Sequence, residues 1–213
     1  MKVQMATLAL AEHGYMQFKL HIHDDLMAEI TRDGLDAKTV LRDRMCRHLK
    51  RRLGHVPWFF FIMEEYAKDG TKTRPHGHGS ILVPRAPLPK RGKGSRRLRA
   101  IAASEGIEKA EIKAGYAVVY QALRAAGGEG RGRFAITTGV DQCRNLWHRP
   151  PYHALFNSQW VDYAFKHAKT VSNLLGDGRL AINRDLTQEA QRLWTLLTRG
   201  EAAITQWRQS DSP

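Results

Sequence analysis

An α+β domain built on an antiparallel sheet is the fold class this chain predicts, and three observations predict it. The chain has 213 residues, 42% hydrophobic and 26% charged, enough for one globular domain with a sizeable core. Its periodic segments run β, α, β-hairpin, α, β, α, α, which breaks the strict alternation of a parallel sheet. The hairpin is marked by turn chemistry, Lys68-Asp69-Gly70, between two strand-like runs.

Each element follows from periodicity. Tyr15, Gln17, Lys19, His21 and His23 alternate with Met16, Phe18, Leu20 and Ile22, a half-buried strand with one polar face. After Gly34, Val40, Leu41, Met45, Leu49 and Leu53 recur at helical spacing, and Gly54 supplies a stop. Trp58 to Tyr66 is an aromatic, apolar strand, and His76 to Val83 is the returning strand, ended by Pro84. Ile107 to Ala126 has helix-forming composition and stops in the Gly127 to Gly132 cluster, and Phe134 to Val140 is a β-branched strand. Ser158 opens a further helix. The last one starts near Asp185, read as its N-cap with Gln188 at the capping-box position, and the C-terminal helix spans 183–208.

Charge narrows the partner. There are 34 Lys and Arg against 21 Asp and Glu, a net of +13, which favours a polyanion and nucleic acid above all. Arg42, Arg44, Arg47, Lys50, Arg51 and Arg52 form one cluster. Arg85, Lys90, Arg91, Lys93, Arg96, Arg97 and Arg99 form another, which the interspersed Pro87, Pro89, Gly92 and Gly94 mark as an exposed loop over 84–99. Of these, Arg51, Arg52 and all seven of the second cluster are the expected backbone-phosphate contacts, with Trp58, Trp147 or Tyr152 as base-stacking candidates. No apolar run approaches the length of a membrane span. Met1 to Ala11 does not read as a secretory signal, because Glu12 and His13 cut its apolar stretch short. The two cysteines, Cys46 and Cys143, are isolated, which argues against a disulfide framework and fits a reducing cytoplasm.

Metal-ligand chemistry concentrates in Arg74-Pro75-His76-Gly77-His78-Gly79. Two histidines two apart on a strand point to one face and can converge on one ion. Glu64 or Glu65, at the end of the preceding strand, offers a carboxylate to complete a two-His-one-carboxylate set with open positions. His21-Ile22-His23 is a second pair of the same spacing, but it has no carboxylate strand before it and no basic loop after it. A second constellation is Tyr163-Ala164-Phe165-Lys166: on a helix, Tyr163 and Lys166 share a face, placing an ammonium beside a phenol oxygen. A tyrosine attacks phosphodiesters well when a metal polarises the phosphate.

Glu65-Tyr66-Ala67-Lys68-Asp69-Gly70, then His76-Gly77-His78-Gly79, then Tyr163-Ala164-Phe165-Lys166 resembles the HUH endonuclease superfamily, in particular its rolling-circle replication initiator (Rep) branch. The resemblance covers about Tyr15 to Asn173 and is expressed as a nuclease domain over 12–175. It implies a five-stranded antiparallel sheet flanked by helices. It also implies divalent-metal-dependent nicking and joining of single-stranded DNA through a 5′-phosphotyrosine. On that pattern His76, His78 and Glu65, the latter preferred for its spacing to Lys68-Asp69-Gly70, would hold Mg2+ or Mn2+. Tyr163 would be the nucleophile and Lys166 its cationic neighbour. The substrate would be single-stranded DNA at a replication origin or an element end. Gly77 stands where the family usually has a bulky hydrophobic residue, and one tyrosine in the motif points to the single-tyrosine members. Transposases and relaxases of mobile elements share these motifs and are the alternative within the superfamily. Outside it, the alternatives are a non-catalytic nucleic-acid-binding protein and a metal-dependent hydrolase that activates water.

Overall fold

Residues 5–6, 9–10, 15–66, 71–90, 93–128, 136–138 and 178–210 are described by the computed structural model, and their elements make an α+β fold with an antiparallel sheet. In chain order they are β1 (Tyr15–His21), α1 (Asp24–Arg32), α2 (Ala37–Leu53), β2 (Phe59–Tyr66), β3 (Lys72–Leu82), α3 (Lys93–Glu105), α4 (Ile107–Ala126), β4 (Ile136–Thr138), β5 (Leu180–Ile182) and α5 (Arg184–Ser210). The strands lie in the order β4-β1-β3-β2-β5. Three long strands fill the middle, and a three-residue strand closes each side. The central strand, β3, is also the one that carries the histidine motif.

Alternation along the strands divides the sheet into two faces. Met16, Phe18 and Leu20 of β1, Phe59, Phe61 and Met63 of β2, Ile81 of β3 and Ala181 of β5 share a core with α1, α2 and α4, through Leu26, Ile30, Leu41, Met45, Leu49, Val119, Ala122 and Leu123. On the opposite face, Tyr15, Phe60, Leu82, Leu180 and Ile182 meet Ala6, Ala9 and Leu10 and the first turns of α5, through Leu186 and Ala190. β2 is apolar on both sides because it is covered on both, which is why its sequence reads as an unbroken run.

Local chemistry sets the helix ends. Asp36 caps α2 by accepting from the Lys38 and Thr39 amides at 3.2 and 3.3 Å, and Gly54, at φ 81°, closes it through the Lys50 carbonyl. The cap of α5 is Asn183, whose Oδ1 accepts from the Leu186 amide, rather than Asp185 as the sequence suggests. Asn183 wins because it also ties the helix to β2, its backbone amide donating to the Phe59 carbonyl at 3.1 Å.

Two helices depart from the sequence expectation. α1 follows β1 directly, with His23 as N-cap, so the strand ends at His21. α3 begins at Lys93, so residues 93–99 of the expected basic loop are helical. Ser95 and Ile101 are buried along α3, and that anchored side is what stops the arginine-rich stretch from staying a loop. α3 packs on α4. None of the described helices is long and apolar enough to cross a membrane. The helix expected from Ser158, the turn at 67–70 and the ends of the strand expected over Phe134 to Val140 lie outside the described residues.

Candidate metal centre

Register, more than spacing, builds this site. β1 and β2 flank β3 antiparallel, pairing His76 with His21 on one side and Glu64 on the other, and His78 with Lys19 and Ile62. Side chains directly opposite across a ladder stand on the same face with their Cβ atoms roughly 5 Å apart. Gly77 and Gly79 face the helical layer, where a Cβ at Gly77 would meet Phe61 and Leu41. His76 and His78 therefore face away from that layer, and Glu64 lies beside them.

The donors converge. Glu64 Oε2 is 3.7 Å from His76 Nε2 and 3.5 Å from His78 Nε2, and one donor atom from each of the three residues lies within 4.8 Å of the others. His76 Nδ1 lies 2.8 Å from the Arg74 carbonyl oxygen. A carbonyl only accepts, so Nδ1 carries a proton and Nε2 is the ring nitrogen turned to the site, the orientation a metal-ligating histidine takes. Two imidazole nitrogens beside a buried carboxylate are a donor set that could hold a metal ion. Donor atoms sharing an ion through bonds of roughly 2.1 Å lie about 3.0–3.4 Å apart, and the two Glu64 contacts are close to that range. These residues fit a divalent ion.

The site is enclosed but not sealed. The side chains of Glu64 and His76 are 2% and 3% exposed and that of His78 is 13% exposed, so access lies on the His78 side. His21 stacks obliquely on His76, ring centroids 5.0 Å apart. Burial, then the charges of His76, Lys19 and Arg74, pull its pKa down to about 4, which keeps it neutral. Arg74 reaches across to Asp24 at 2.9 Å and forms the rim.

The carboxylate is the main correction to the sequence reading. Glu64, not Glu65, joins the two histidines. Neighbours along a strand face opposite sides, and the register places Glu64 directly across from His76, with a shift in the ladder only beyond it. Glu65 is itself buried, and its Oε2 has no hydrogen-bond partner among the described residues. The rival pair is also separated: His21 remains on the strand, whereas His23 turns away to accept from the Asp25 amide at the start of α1.

The basic residues lie elsewhere. α2 packs its Leu41, Met45 and Leu49 on the face opposite the histidines, so Arg51 and Arg52 are on the far side of the sheet from Glu64. Arg51 is exposed and Arg52 half-buried. Arg85 pairs with Glu108 of α4, and Arg99 donates to the Lys90 carbonyl at 2.6 Å. Lys90, Arg96 and Arg97 are exposed. Arg91 lies outside the described residues, and of Lys93 only the backbone, opening α3, is described. Trp58 packs against the apolar cluster around Phe60. Tyr163, Lys166, Trp147 and Tyr152 lie outside the described residues.

Sequence reasoning passed over Lys19, although its signal was present: the polar stripe Gln17-Lys19-His21 on β1 is the wall of the site that faces His78 and His76. No family model matches the chain, and neither does any curated protein or solved structure.

Proposed function

We propose that this protein is a divalent-metal-dependent endonuclease that nicks and rejoins single-stranded DNA through a covalent phosphotyrosine, in the manner of the HUH superfamily's rolling-circle initiators. The observation that supports this reading most is the convergence of Glu64, His76 and His78 on one face of adjacent antiparallel strands. The net charge of +13 supports a polyanionic substrate. Glu64, His76 and His78 would hold Mg2+ or Mn2+, and the ion supplies polarisation of a non-bridging phosphate oxygen. Tyr163 attacks phosphorus as its phenol proton passes to solvent. The P–O3′ bond breaks, and the departing oxygen takes up a proton to become a 3′-hydroxyl. Lys166, three residues after Tyr163 in the sequence, offsets charge developing on the phosphate. The aryl phosphodiester keeps the broken bond's energy for rejoining. Initiation of rolling-circle replication is the favoured context, with a transposase or relaxase of a mobile element as the variant of the same chemistry.

The test is incubation with a single-stranded oligonucleotide library and Mn2+, followed by denaturing electrophoresis and mass spectrometry. A denaturation-resistant adduct on the peptide containing Tyr163, absent in Tyr163→Phe, is the expected result. Cleavage without an adduct would mean a water-activating hydrolase. Binding with neither cleavage nor adduct would mean a nucleic-acid-binding protein. An adduct on Tyr116 or Tyr120 would move the nucleophile.

A further inference from the structure

We infer that Lys19 is the phosphate-binding cation of the metal centre, holding the anionic oxygens of the phosphodiester on the β1 side while Glu64, His76 and His78 hold the ion. This rests on the functional reading above and adds to it a substrate-binding residue on a strand the motifs do not touch.

Placement comes from register. Lys19 is directly opposite His78 across the β1–β3 ladder. Its neighbours Phe18 and Leu20 are buried in the core on the helical side, 3% and 0% exposed, so alternation turns Lys19 to the face that carries His76, His78 and Glu64. Lys19 is half-buried. His78 is the most exposed of the three donors, so the ligand-accessible side of the centre is the side Lys19 flanks.

Charge gives the placement a purpose. Lys19 makes no ion pair with any acid among the described residues, whereas Arg74, at the rim of the same face, is taken up by Asp24. An ammonium next to a divalent-ion site works against metal binding, since the two positive charges repel. That arrangement becomes favourable when an anion bridges ammonium and ion. A phosphodiester does this: one oxygen can face the metal while the other accepts from an ammonium, whose flexible stem suits a point charge that must follow the phosphate.

The test uses the full chain loaded with Mn2+ and inorganic phosphate as the probe. Paramagnetic relaxation of the phosphorus nucleus reports phosphate close to the ion. Lys19→Gln should weaken phosphate binding to the Mn2+-loaded protein roughly ten-fold, the effect of losing one charge-assisted hydrogen bond. It should leave Mn2+ affinity equal or higher, because a repelling charge has gone, and Lys19→Arg should restore most of the phosphate binding. Equal phosphate affinity in wild type and Lys19→Gln, with Mn2+ bound in both, overturns the inference alone. Weaker Mn2+ binding in Lys19→Gln would also overturn it, since Lys19 would then be holding the donor set together. Failure of the wild-type protein to bind Mn2+ removes the metal reading, and this inference with it.

Discussion

Gly79→Ala should be the most damaging single methyl group that can be added to the central strand. A Cβ on Gly79 would lie 2.3 Å from the Phe60 carbonyl oxygen, 2.6 Å from Phe18 Cζ and 2.7 Å from Phe61 Cβ. The first of these is backbone of the neighbouring strand, so no rotamer change relieves it; β2 and β3 must move apart. Overpacking a core costs typically 1–3 kcal/mol, and a clash with paired backbone belongs at or above the top of that range, about 3 kcal/mol. For a chain of this size that lowers Tm by roughly 6–12 °C. Gly77→Ala is the internal control. Its Cβ would meet only side-chain atoms, Phe61 Cδ2 at 3.2 Å and Leu41 Cδ2 at 3.4 Å. That is tight but yielding contact, offset by the roughly 0.5–1 kcal/mol gained when a strand glycine becomes alanine, so its Tm should stay within about 3 °C of wild type. Phe60 lies on the strand that carries Glu64, so Gly79→Ala should also weaken Mn2+ binding by displacing Glu64 from the histidines. Calorimetric melts of the three proteins, with a Mn2+ titration of each, decide the matter. A Gly79→Ala melt indistinguishable from wild type, or a Gly77→Ala melt lower than that of Gly79→Ala, would refute the packing argument.

Three shorter predictions follow from the same geometry. Glu64→Gln and the double variant His76→Ala/His78→Ala should each lower Mn2+ affinity by at least 100-fold in a calorimetric titration while Glu65→Gln leaves it within three-fold; the reverse pattern for the two glutamates would return Glu65 to the site. Neutralising Arg96, Arg97 and Arg99 together should weaken binding to all single strands alike and flatten the slope of log K against log salt by roughly 0.7 for each phosphate no longer neutralised, and an unchanged slope would make them solvated surface. Burial and then the charges of Arg44, Arg51, Arg52 and Arg47 depress the pKa of His48, so the unfolded chain takes up a proton there before the folded one does. His48 therefore contributes stability that is present above its unfolded pKa of about 6.5 and lost as pH falls. His48→Gln should make Tm less steeply dependent on pH between about 7 and 5, and an identical slope would remove His48 from the acid response.

Much of the fold was readable where one rule acted alone. β1 announced itself by alternation, α2 by its apolar stripe between Gly34 and Gly54, and α4 by the composition of Ile107 to Ala126 ahead of Gly127. α1 was missed because only two residues separate it from a strand whose polar stripe runs on through His23, so its histidine cap looked like strand. The helical stretch of the basic loop was missed because Gly92, Gly94 and a run of arginines mask the few residues that anchor α3. In the site, a pair of histidines two apart fixed a shared face without help from structure. The choice between Glu64 and Glu65 could not be made that way. Phe59 to Met63 is apolar at every position, so nothing in it says which parity faces the histidines. Register decides, and register is a property of two strands.

The position of the histidine motif on the central strand also governs how the chemistry can be arranged. A pair of ligands on an edge strand would have cross-strand neighbours on one side only. On β3 each histidine has two: Glu64 and Ile62 from β2, His21 and Lys19 from β1. The β2 side supplies the carboxylate that a divalent ion needs, and the β1 side supplies a neutral imidazole and a cation, neither suited to adding negative charge at the ion. If the centre holds an ion as proposed, protein ligation would be weighted to one side and the other left to an anion. The basic residues of α2, on the opposite face, cannot reach that anion. Any polyanion engaging both the centre and α2 must pass around an edge of the sheet, so those arginines can hold only a part of the strand distant from the phosphate at the ion.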